Sequence, residues 1–289
     1  MEAGIVYVAT GTAYRDECQI SAASVREHMP DVPITLFSDE AVTGNNFDSV
    51  HVLSDPSYDS SDVIECLLQT PYDRTIFLDT DIYIDGDISE LFDMMDSFDV
   101  GVVIDPTHTC PRDSPVPIVP STFPEYNTGM IAYRSNPQTD SLLSSWRSLY
   151  EYHNSPADQP SFRDSVYLSD VRLLTLPPEY NCLYGPYPGY AYGKIKVFHG
   201  RLIDEEGFSG LSYDRDPAAA RDVLNSSHYA RAYSWNGQFK LHQNRKGSGV
   251  LTEQFIDSVR TEGWLETSRK TAKYLAARVH RRTVSSHEG

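Results

Sequence analysis

The feature that most constrains the fold is a series of short, continuous apolar runs, rich in valine and isoleucine, that alternate with stretches of helical pattern. A strand buried on both faces carries such a continuous run, whereas a half-exposed strand alternates apolar with polar residues. The series therefore predicts an α/β fold in which helices flank a mostly parallel sheet. The predicted strands are residues 5–8, 33–37, 50–53, 75–78, 100–104, 129–133 and 195–198, and the first two predicted helices are residues 14–28 and 62–68.

The length of 289 residues allows one such sheet domain and an appendage. We predict that residues 1–206 form the sheet domain and that residues 207–289 form a helical C-terminal extension. Asp216-Pro217 is typical of a helix start and predicts a helix through about residue 233, and residues 252–282 have a second helical pattern. Residues 106–126 and 176–193, both rich in proline, are predicted to be long loops, which in compact domains tend to be functional.

The charge is strongly negative and unevenly distributed. The net charge is −17; residues 1–200 carry 10 Lys and Arg against 30 Asp and Glu, whereas residues 201–289 carry 14 against 11. Such a surface repels nucleic acid, so we expect no nucleic-acid partner. It also suits a protein that stays soluble in concentrated salt, which predicts a halophilic source. The basic end of the C-terminal segment predicts either peripheral contact with an anionic membrane or packing on the protein's own acidic surface.

The location expected from the sequence is cytoplasmic, with the C-terminal helix at the inner face of the cell membrane if it contacts lipid. No apolar run approaches the roughly 20 residues that a membrane span needs. The first residues lack the basic region of a signal peptide and predict a strand instead. The four cysteines lie far apart and form no metal-binding pattern, so we expect reduced thiols.

The predicted strand 75–78 ends in a run of carboxylates that begins with Asp79 and Asp81. Ligands of open α/β sheets bind beyond the carboxyl ends of the strands, which is where these two side chains lie. In extended chain the side-chain period is two, so both carboxylates point to one face. Two converging carboxylates suit a hard divalent cation, Mn²⁺ or Mg²⁺. A lone Asp-x-Asp is nevertheless a common accident of sequence.

Five motifs in a fixed order give this pair its context. They are FLDTDIYIDGDISELFD (77–93), EYNTGMIAY (125–133), ADQPSF (157–162), LPPEYN (176–181) and KVFHG (196–200). Over roughly residues 3–203 the chain resembles the glycogenin-like glycosyltransferases of family eight, which have the Rossmann-like GT-A fold. The resemblance implies a metal-dependent hexosyltransferase that moves a sugar from a UDP-sugar donor to a glycan, glycolipid or glycoprotein acceptor, with retention of anomeric configuration.

The resemblance also implies a role for each matching residue. Asp79, Asp81 and His199 would be the ligands of Mn²⁺ or Mg²⁺, and Asp158 or Gln159 would face the anomeric carbon. The residues implied to bind the donor are Thr10 and Tyr14 at the uracil, Arg74 at the ribose or phosphate, Thr80, Asp105, Asn127 and Gly129 around the sugar, and Arg201 at the diphosphate. Arg201 stands where the family usually has a lysine followed by Pro-Trp, whereas here Leu202 follows.

Two alternatives remain open at this stage. One is a non-catalytic nucleotide-sugar-binding module, which the presence of all three implied metal ligands disfavours. The other is a sugar nucleotidyltransferase, whose glycine-rich loop is matched only by Thr10-Gly11-Thr12, without the further glycines and the Lys/Arg-Pro that such enzymes need. Tyr184, Tyr187, Tyr190 and Tyr192 are candidates for the acceptor site, since aromatic faces stack on sugar rings, and the alternative is that they only pack within the proline-rich loop.

Overall fold

The computed structural model describes residues 2–106, 113–183, 189–202, 225, 229–235 and 238–243. The chain divides into two compact units, residues 1–241 and 242–289, and nearly all of the second lies outside the described residues. The predicted helix at residues 252–282 therefore lies outside them as well. So do residues 203–224, so the predicted domain boundary near residue 206 stays a prediction.

The described residues contain thirteen strands and five α-helices. The strands are β1 (Ala3–Ala9), β2 (Ile34–Ser38), β3 (Ser49–Val52), β4 (Arg74–Leu78), β5 (Ile82–Ile84), β6 (Val100–Ile104), β7 (Tyr126–Arg134), β8 (Leu173–Leu176), β9 (Cys182–Leu183), β10 (Gly189–Ala191), β11 (Val197–His199), β12 (Tyr229–Trp235) and β13 (Gln238–Gln243). The helices are α1 (Thr12–His28), α2 (Ser60–Leu67), α3 (Glu90–Met94), α4 (Pro137–His153) and α5 (Gln159–Leu168).

The main sheet has seven strands in the order β3-β2-β1-β4-β7-β6-β8. Its neighbours are parallel except at β7, which runs antiparallel to both β4 and β6. Helices cover both faces, because α1 packs into one apolar cluster and α2, α4 and α5 into the other. The expected mostly parallel α/β fold is therefore confirmed.

Strand β1 shows why the apolar runs are continuous. Ile5 and Tyr7 belong to the cluster on the α1 side, whereas Val6 and Val8 belong to the cluster on the opposite face. All four side chains are buried. Since successive residues of a strand point to opposite faces, a strand covered on both sides needs an apolar residue at every position.

Two smaller sheets extend from the main one. In the first, β11 lies between β5 and β9, antiparallel to β5 and parallel to β9. In the second, β12 lies between β10 and β13. Residues 176–193, predicted as a loop, thus contribute β9, β10 and a 3-10 turn at Pro178–Tyr180 to the fold.

The C-terminal part of the prediction needs a correction. The helix expected through about residue 233 is wrong for residues 229–233, which belong to strand β12. The sequence YARAYSW places large side chains at every second position, which is the strand period rather than the helix period. Asn236-Gly237 follows at once, and this dipeptide between two strands is the strongest short-range sequence signal for a hairpin.

Buried polar side chains on α5 hold part of the proline-rich stretch. Arg163 is 2% exposed and donates hydrogen bonds to the carbonyls of Phe123 (2.9 Å) and Pro120 (2.8 Å). Its neighbour Asp164 accepts hydrogen bonds from the hydroxyl of Ser114 and, at 3.0 Å, from Nε2 of the His153 ring. Residues 113–125 are therefore anchored to the helix beside the candidate site, although they form no strand or helix of their own.

Two smaller expectations can be compared with the described residues. Among their helices, none is long and apolar enough to cross a membrane. Cys18, Cys66 and Cys182 are buried free thiols, as expected, whereas Cys110 lies outside the described residues.

Candidate active site

The candidate metal ligands are brought together by a strand pairing that the sequence does not reveal. Asp79 and Asp81 follow β4 and lead into β5, where Ile82 pairs with His199 of β11. Nε2 of His199 lies 3.3 Å from Oδ1 of Asp81 and 4.0 Å from Oδ2 of Asp79. One ligand atom from each of the three side chains lies within 4.8 Å of the others. These distances allow one cation to bind all three.

A chain of amide side chains fixes the orientation of His199. Nδ1 of His199 lies 2.8 Å from Oδ1 of Asn181, whose Nδ2 donates to Oδ1 of Asn127 at 2.8 Å. Asn127 in turn donates to Oδ2 of Asp105 at 3.3 Å. Because Asn181 presents an oxygen to the ring, Nδ1 carries the hydrogen and Nε2 faces the carboxylates with its lone pair. Metal-binding histidines are usually held in this way, so the donor set fits a divalent cation.

The charges of Asp79, Asp81 and His199 also favour a bound cation. Burial and the neighbouring Asp81 carboxylate raise the pKa of Asp79. Burial alone would raise the pKa of Asp81 too, but the charge and hydrogen bond of His199 lower it. Burial alone would lower the pKa of His199, but Asp81 and then Asp79 raise it. The two carboxylates thus favour positive charge at this place, which a bound cation would supply.

Gly129 of β7 makes room for the His199 ring. A Cβ atom at residue 129 would lie 2.3 Å from Cε1 of His199, 2.8 Å from Nδ1 and 2.9 Å from Nε2. No side chain larger than hydrogen fits there unless the ring moves. The backbone of Gly129 also accepts a 2.8 Å hydrogen bond from the Asp79 amide. Gly129 was expected beside the donor sugar, whereas in the structure its close neighbour is His199, and a contact with the donor stays a prediction.

Arg201 lies beside the three ligands and is held by a residue that the sequence analysis missed. Its NH1 atom donates to Oε2 of Glu17 at 2.6 Å, and its Nε lies 3.9 Å from Oδ2 of Asp81. The guanidinium lies over the ring of Tyr14, 5.1 Å from its centroid. Glu17 also accepts from the hydroxyl of Thr80 at 3.2 Å. Burial and the charge of Asp81 raise the pKa of Glu17.

A cleft of about 960 Å³ opens next to this cluster. Six predicted site residues line it: Thr10, Tyr14, Asp79, Thr80, Asp81 and Arg201. The rest of its wall comes from Val8 of β1, from residues 57–63 and 65, around the start of α2, and from residues 147, 150, 151 and 154–156, at the end of α4. The lining is rich in hydroxyl and carboxylate groups, which suits a ligand with many hydroxyls and phosphates bound through a cation.

Asp105 and Asn127 lie behind the cluster. They are 2% and 3% exposed, and hydrogen bonds join them to His199 through Asn181. In this structure they support the histidine from within the protein, so a direct contact with the donor sugar stays a prediction. The motif LPPEYN carried the signal for Asn181, whose role as the partner of the histidine could not be inferred from sequence order.

Asp158 and Gln159 lie at the start of α5. The carbonyl of Asp158 accepts hydrogen bonds from Nε1 of Trp146 at 3.2 Å and from the amide of Phe162 at 3.0 Å. Burial raises the pKa of the Asp158 carboxyl, against a hydrogen bond from Thr128 that lowers it. The charge of Asp158 also contributes to the raised pKa of Asp79, after burial and the charge of Asp81, and its role at the anomeric carbon stays a prediction.

Arg74 is not brought to the site, and its assignment to the donor is corrected. It is the first residue of β4, whereas Asp79 follows the last one. Its guanidinium donates to the carbonyl of Phe92 at 3.3 Å and to Asp96 at 3.5 Å. The cation that the cleft wall offers besides Arg201 is Arg147 of α4, which pairs with Glu65 at 2.7 Å.

The tyrosines proposed for the acceptor are only partly described. The rings of Tyr190 and Tyr192 meet edge to face with centroids 5.8 Å apart, and Tyr192 is exposed. Tyr184 and Tyr187 lie outside the described residues. Their role in acceptor binding stays a prediction.

Neither a protein-family model nor a curated protein sequence matches this chain. Among solved structures, mouse xyloside xylosyltransferase 1 in its apo form is 15% identical, with a TM-score of 0.49 and coverage of 69% of this chain and 98% of that one. The galactosyltransferase LgtC, in complex with donor and acceptor sugar analogs, is 13% identical, with a TM-score of 0.48 and coverage of 78% and 96%. The glycosyltransferase GlyE of Streptococcus pneumoniae is 14% identical, with a TM-score of 0.46 and coverage of 62% and 46%.

All three neighbours are glycosyltransferases by their descriptions.

Proposed function

We propose that this protein is a metal-dependent glycosyltransferase of the glycogenin-like family eight, with the GT-A fold. It transfers a sugar from a nucleotide-sugar donor, a UDP-sugar, to a glycan, glycolipid or glycoprotein acceptor. The observation that carries the proposal is the convergence of Asp79, Asp81 and His199 at one edge of a large polar cleft, with Arg201 beside them. The five ordered sequence motifs contain all of these residues or lie directly next to them.

The reaction breaks the bond between the anomeric carbon and the diphosphate oxygen and forms a bond to an acceptor hydroxyl oxygen. The diphosphate oxygen departs with the bonding electron pair and takes up the proton of the acceptor hydroxyl. A divalent ion held by Asp79, Asp81 and His199 would neutralise charge on the departing diphosphate. The guanidinium of Arg201 stabilises the same developing charge from its place at the cleft wall.

The remaining residues hold these groups in place. Asn181 keeps Nε2 of His199 directed at the two carboxylates, and Gly129 leaves room for the ring. The family resemblance implies that Asp158 or Gln159 faces the anomeric carbon, and either side chain offers an oxygen to the positive charge that develops there. Retention of configuration and the choice of uridine also rest on the resemblance, as does the preference for Mn²⁺ or Mg²⁺.

The test is metal-dependent hydrolysis and transfer over a panel of nucleotide sugars, with Asp79→Asn and Asp81→Asn as the variants. We expect each variant to lose at least about 100-fold in turnover and to bind Mn²⁺ more weakly in calorimetry, since each removes one ligand. Asp93→Asn is the matched control, because it makes the same change of charge in the same acidic run on a side chain that is 87% exposed.

Three outcomes would overturn parts of this proposal. Variants that keep near wild-type turnover at limiting Mn²⁺ would show that the cluster is not the metal site. Tight binding of a UDP-sugar by the wild-type protein, without turnover on any acceptor or water, would leave a binding module. Formation of a nucleotide sugar from a nucleoside triphosphate and a sugar phosphate would identify a nucleotidyltransferase instead.

A further inference from the structure

Glu17 is a buried carboxylate that the proposed chemistry does not yet use. It lies in α1 and is 1% exposed, whereas the preceding residue, Asp16, is exposed to solvent. An isolated carboxylate costs much free energy when it is buried. A buried carboxylate is therefore found where hydrogen-bond donors and a positive charge contact it. The contacts of Glu17 therefore indicate what it is for.

Both carboxylate oxygens of Glu17 are occupied by segments of the candidate site. Oε1 accepts from the backbone amide of Leu202 at 2.7 Å. Oε2 accepts from NH1 of Arg201 at 2.6 Å and from the hydroxyl of Thr80 at 3.2 Å. Glu17 thus joins α1 to the turn that carries Asp79 and Asp81 and to the segment that follows His199.

These contacts determine how Arg201 faces the cleft. One end of its planar guanidinium is bound by Glu17, and its face lies over the ring of Tyr14. Its Nε then lies 3.9 Å from Oδ2 of Asp81, and the side chain lines the cleft. A lysine could not replace this arrangement, because an ammonium lacks the fork that lets one group bind Glu17 while the rest faces the cleft.

We propose that Glu17 is a positioning residue, which holds the Arg201 guanidinium beside the metal cluster so that it binds the second phosphate of a nucleoside diphosphate. This inference rests on the proposed function, because it assumes that a nucleotide binds in the cleft. It adds that the guanidinium is held in place before the nucleotide arrives, by a residue far from it in the sequence. Glu17 itself does not touch the substrate.

The readout that separates positioning from simple stabilisation is the preference for UDP over UMP. Both nucleotides share the nucleoside and the first phosphate, and only UDP has the second. We expect Glu17→Gln to weaken the binding of UDP about 10-fold or more in calorimetry with Mn²⁺, the size expected for loss of a charge-assisted hydrogen bond. The affinity for UMP, measured at saturating Mn²⁺, should change by less than about 2-fold if one bond to the second phosphate is lost.

A double-mutant cycle tests whether the effect passes through Arg201. In an Arg201→Ala background, Glu17→Gln should cause no further loss of UDP affinity, since the group that it positions is gone. Asp16→Asn is the matched control on the same helix, with the same change of charge, and should leave both nucleotide affinities unchanged. Glu17→Asp keeps the charge but shortens the side chain, and it serves in the cycle if Glu17→Gln fails to fold.

The outcomes distinguish this inference from the function on which it rests. If the wild-type protein binds neither UDP nor a UDP-sugar with Mn²⁺, the proposed function fails. If the wild-type protein binds UDP but Glu17→Gln lowers the melting temperature with the UDP-to-UMP preference unchanged, Glu17 is a structural ion pair and the inference is wrong. Additive losses in the double mutant would overturn it as well.

Discussion

Replacement of Gly129 by alanine is a sharp test of the metal site, because the structure gives its steric consequence directly. The added Cβ would lie 2.3 Å from Cε1 of His199. Carbon atoms in contact rest about 3.5 Å apart, so the ring has to move by about 1 Å. The 2.8 Å contact between the ring and Asn181 cannot survive such a shift in its present geometry. Nε2 would then leave the position in which it faces Asp79 and Asp81.

The size of the effect follows from two costs. A methyl group forced into a packed site destabilises a protein by about 1–3 kcal/mol, so Gly129→Ala should still fold but melt at a lower temperature. Displacement of a ligand that its partner no longer orients typically costs about 10–100-fold in metal affinity. We therefore expect calorimetric Mn²⁺ affinity to fall in that range, with turnover at limiting Mn²⁺ falling in parallel.

Gly101 provides the control for this experiment. It lies in the neighbouring strand β6 of the same sheet, where an added Cβ would lie 3.3 Å from the terminal methyl of Met95, a flexible group that can move aside. Gly101→Ala should therefore lower stability slightly and leave Mn²⁺ affinity unchanged. If Gly129→Ala binds Mn²⁺ as tightly as the wild-type protein does, His199 is not a ligand in the orientation described above.

Two further predictions concern the frame and the cleft. Burial alone would raise the pKa of Asp99, but hydrogen bonds from Arg172 and the charge of Arg134 hold it well below its ordinary value. Asp99→Asn should therefore cost about 3 kcal/mol of unfolding free energy above pH 5. A carboxyl with a lowered pKa stabilises the fold fully above its ordinary pKa of about 4. The difference in unfolding free energy between the wild-type protein and Asp99→Asn, measured by urea titration, should therefore shrink only below that pH. A difference that grows below that pH would show that Asp99 does not stabilise the fold as a charged group. Tyr58 lines the cleft with a left-handed φ of 59° and is 62% exposed. Tyr58→Gly should leave stability unchanged or raise it by up to about 1 kcal/mol, and it should raise the KM for the donor. Asn154→Gly, at another left-handed residue, should leave that KM unchanged. Lower stability of Tyr58→Gly with an unchanged KM would show that Tyr58 only packs.

The strands of the main sheet could be predicted because burial on both faces leaves a local signature. Each residue of β1 is apolar since each faces one of two buried clusters, so the pattern is readable without knowledge of the partners. The sequence also predicted the grouping of Asp79, Asp81 and His199, although two lie together and His199 is more than a hundred residues away. The order of the five motifs indicated that these three residues act together, which local periodicity could not indicate.

The role of Glu17 could not be predicted, because the residue that it binds, Arg201, is 184 residues away in the sequence. In sequence it is one carboxylate of an acidic amphipathic helix, and nothing local marks it as buried. The error at Arg74 has a different origin. Five residues of strand separate it from Asp79, roughly 16 Å at 3.3 Å per residue, so strand geometry alone could have excluded it from the site. Neighbourhood in sequence was mistaken for neighbourhood in space.

The charge of the cleft leads to a last prediction, which concerns salt. Its wall carries Asp59, Asp62, Glu65 and Glu151 in addition to the two aspartates of the metal cluster, and the described cations that line it are two arginines. A nucleoside diphosphate brings further negative charge into this cleft. Without a divalent ion, the cleft should repel it.

Salt should therefore act on binding in the direction opposite to the usual one. For most protein–phosphate complexes, screening weakens attraction, and affinity falls as salt rises. Here, with the metal removed by EDTA, screening weakens repulsion, since the Debye length falls from about 10 Å at 0.1 M to about 3 Å at 1 M. We expect UDP binding in EDTA to be undetectable by calorimetry at 0.1 M NaCl and to strengthen at 1 M, whereas binding with saturating Mn²⁺ should change little. If UDP binds without metal and more tightly at low salt, the arginines outweigh the carboxylates, and the divalent ion is not what makes this acidic cleft accept a diphosphate.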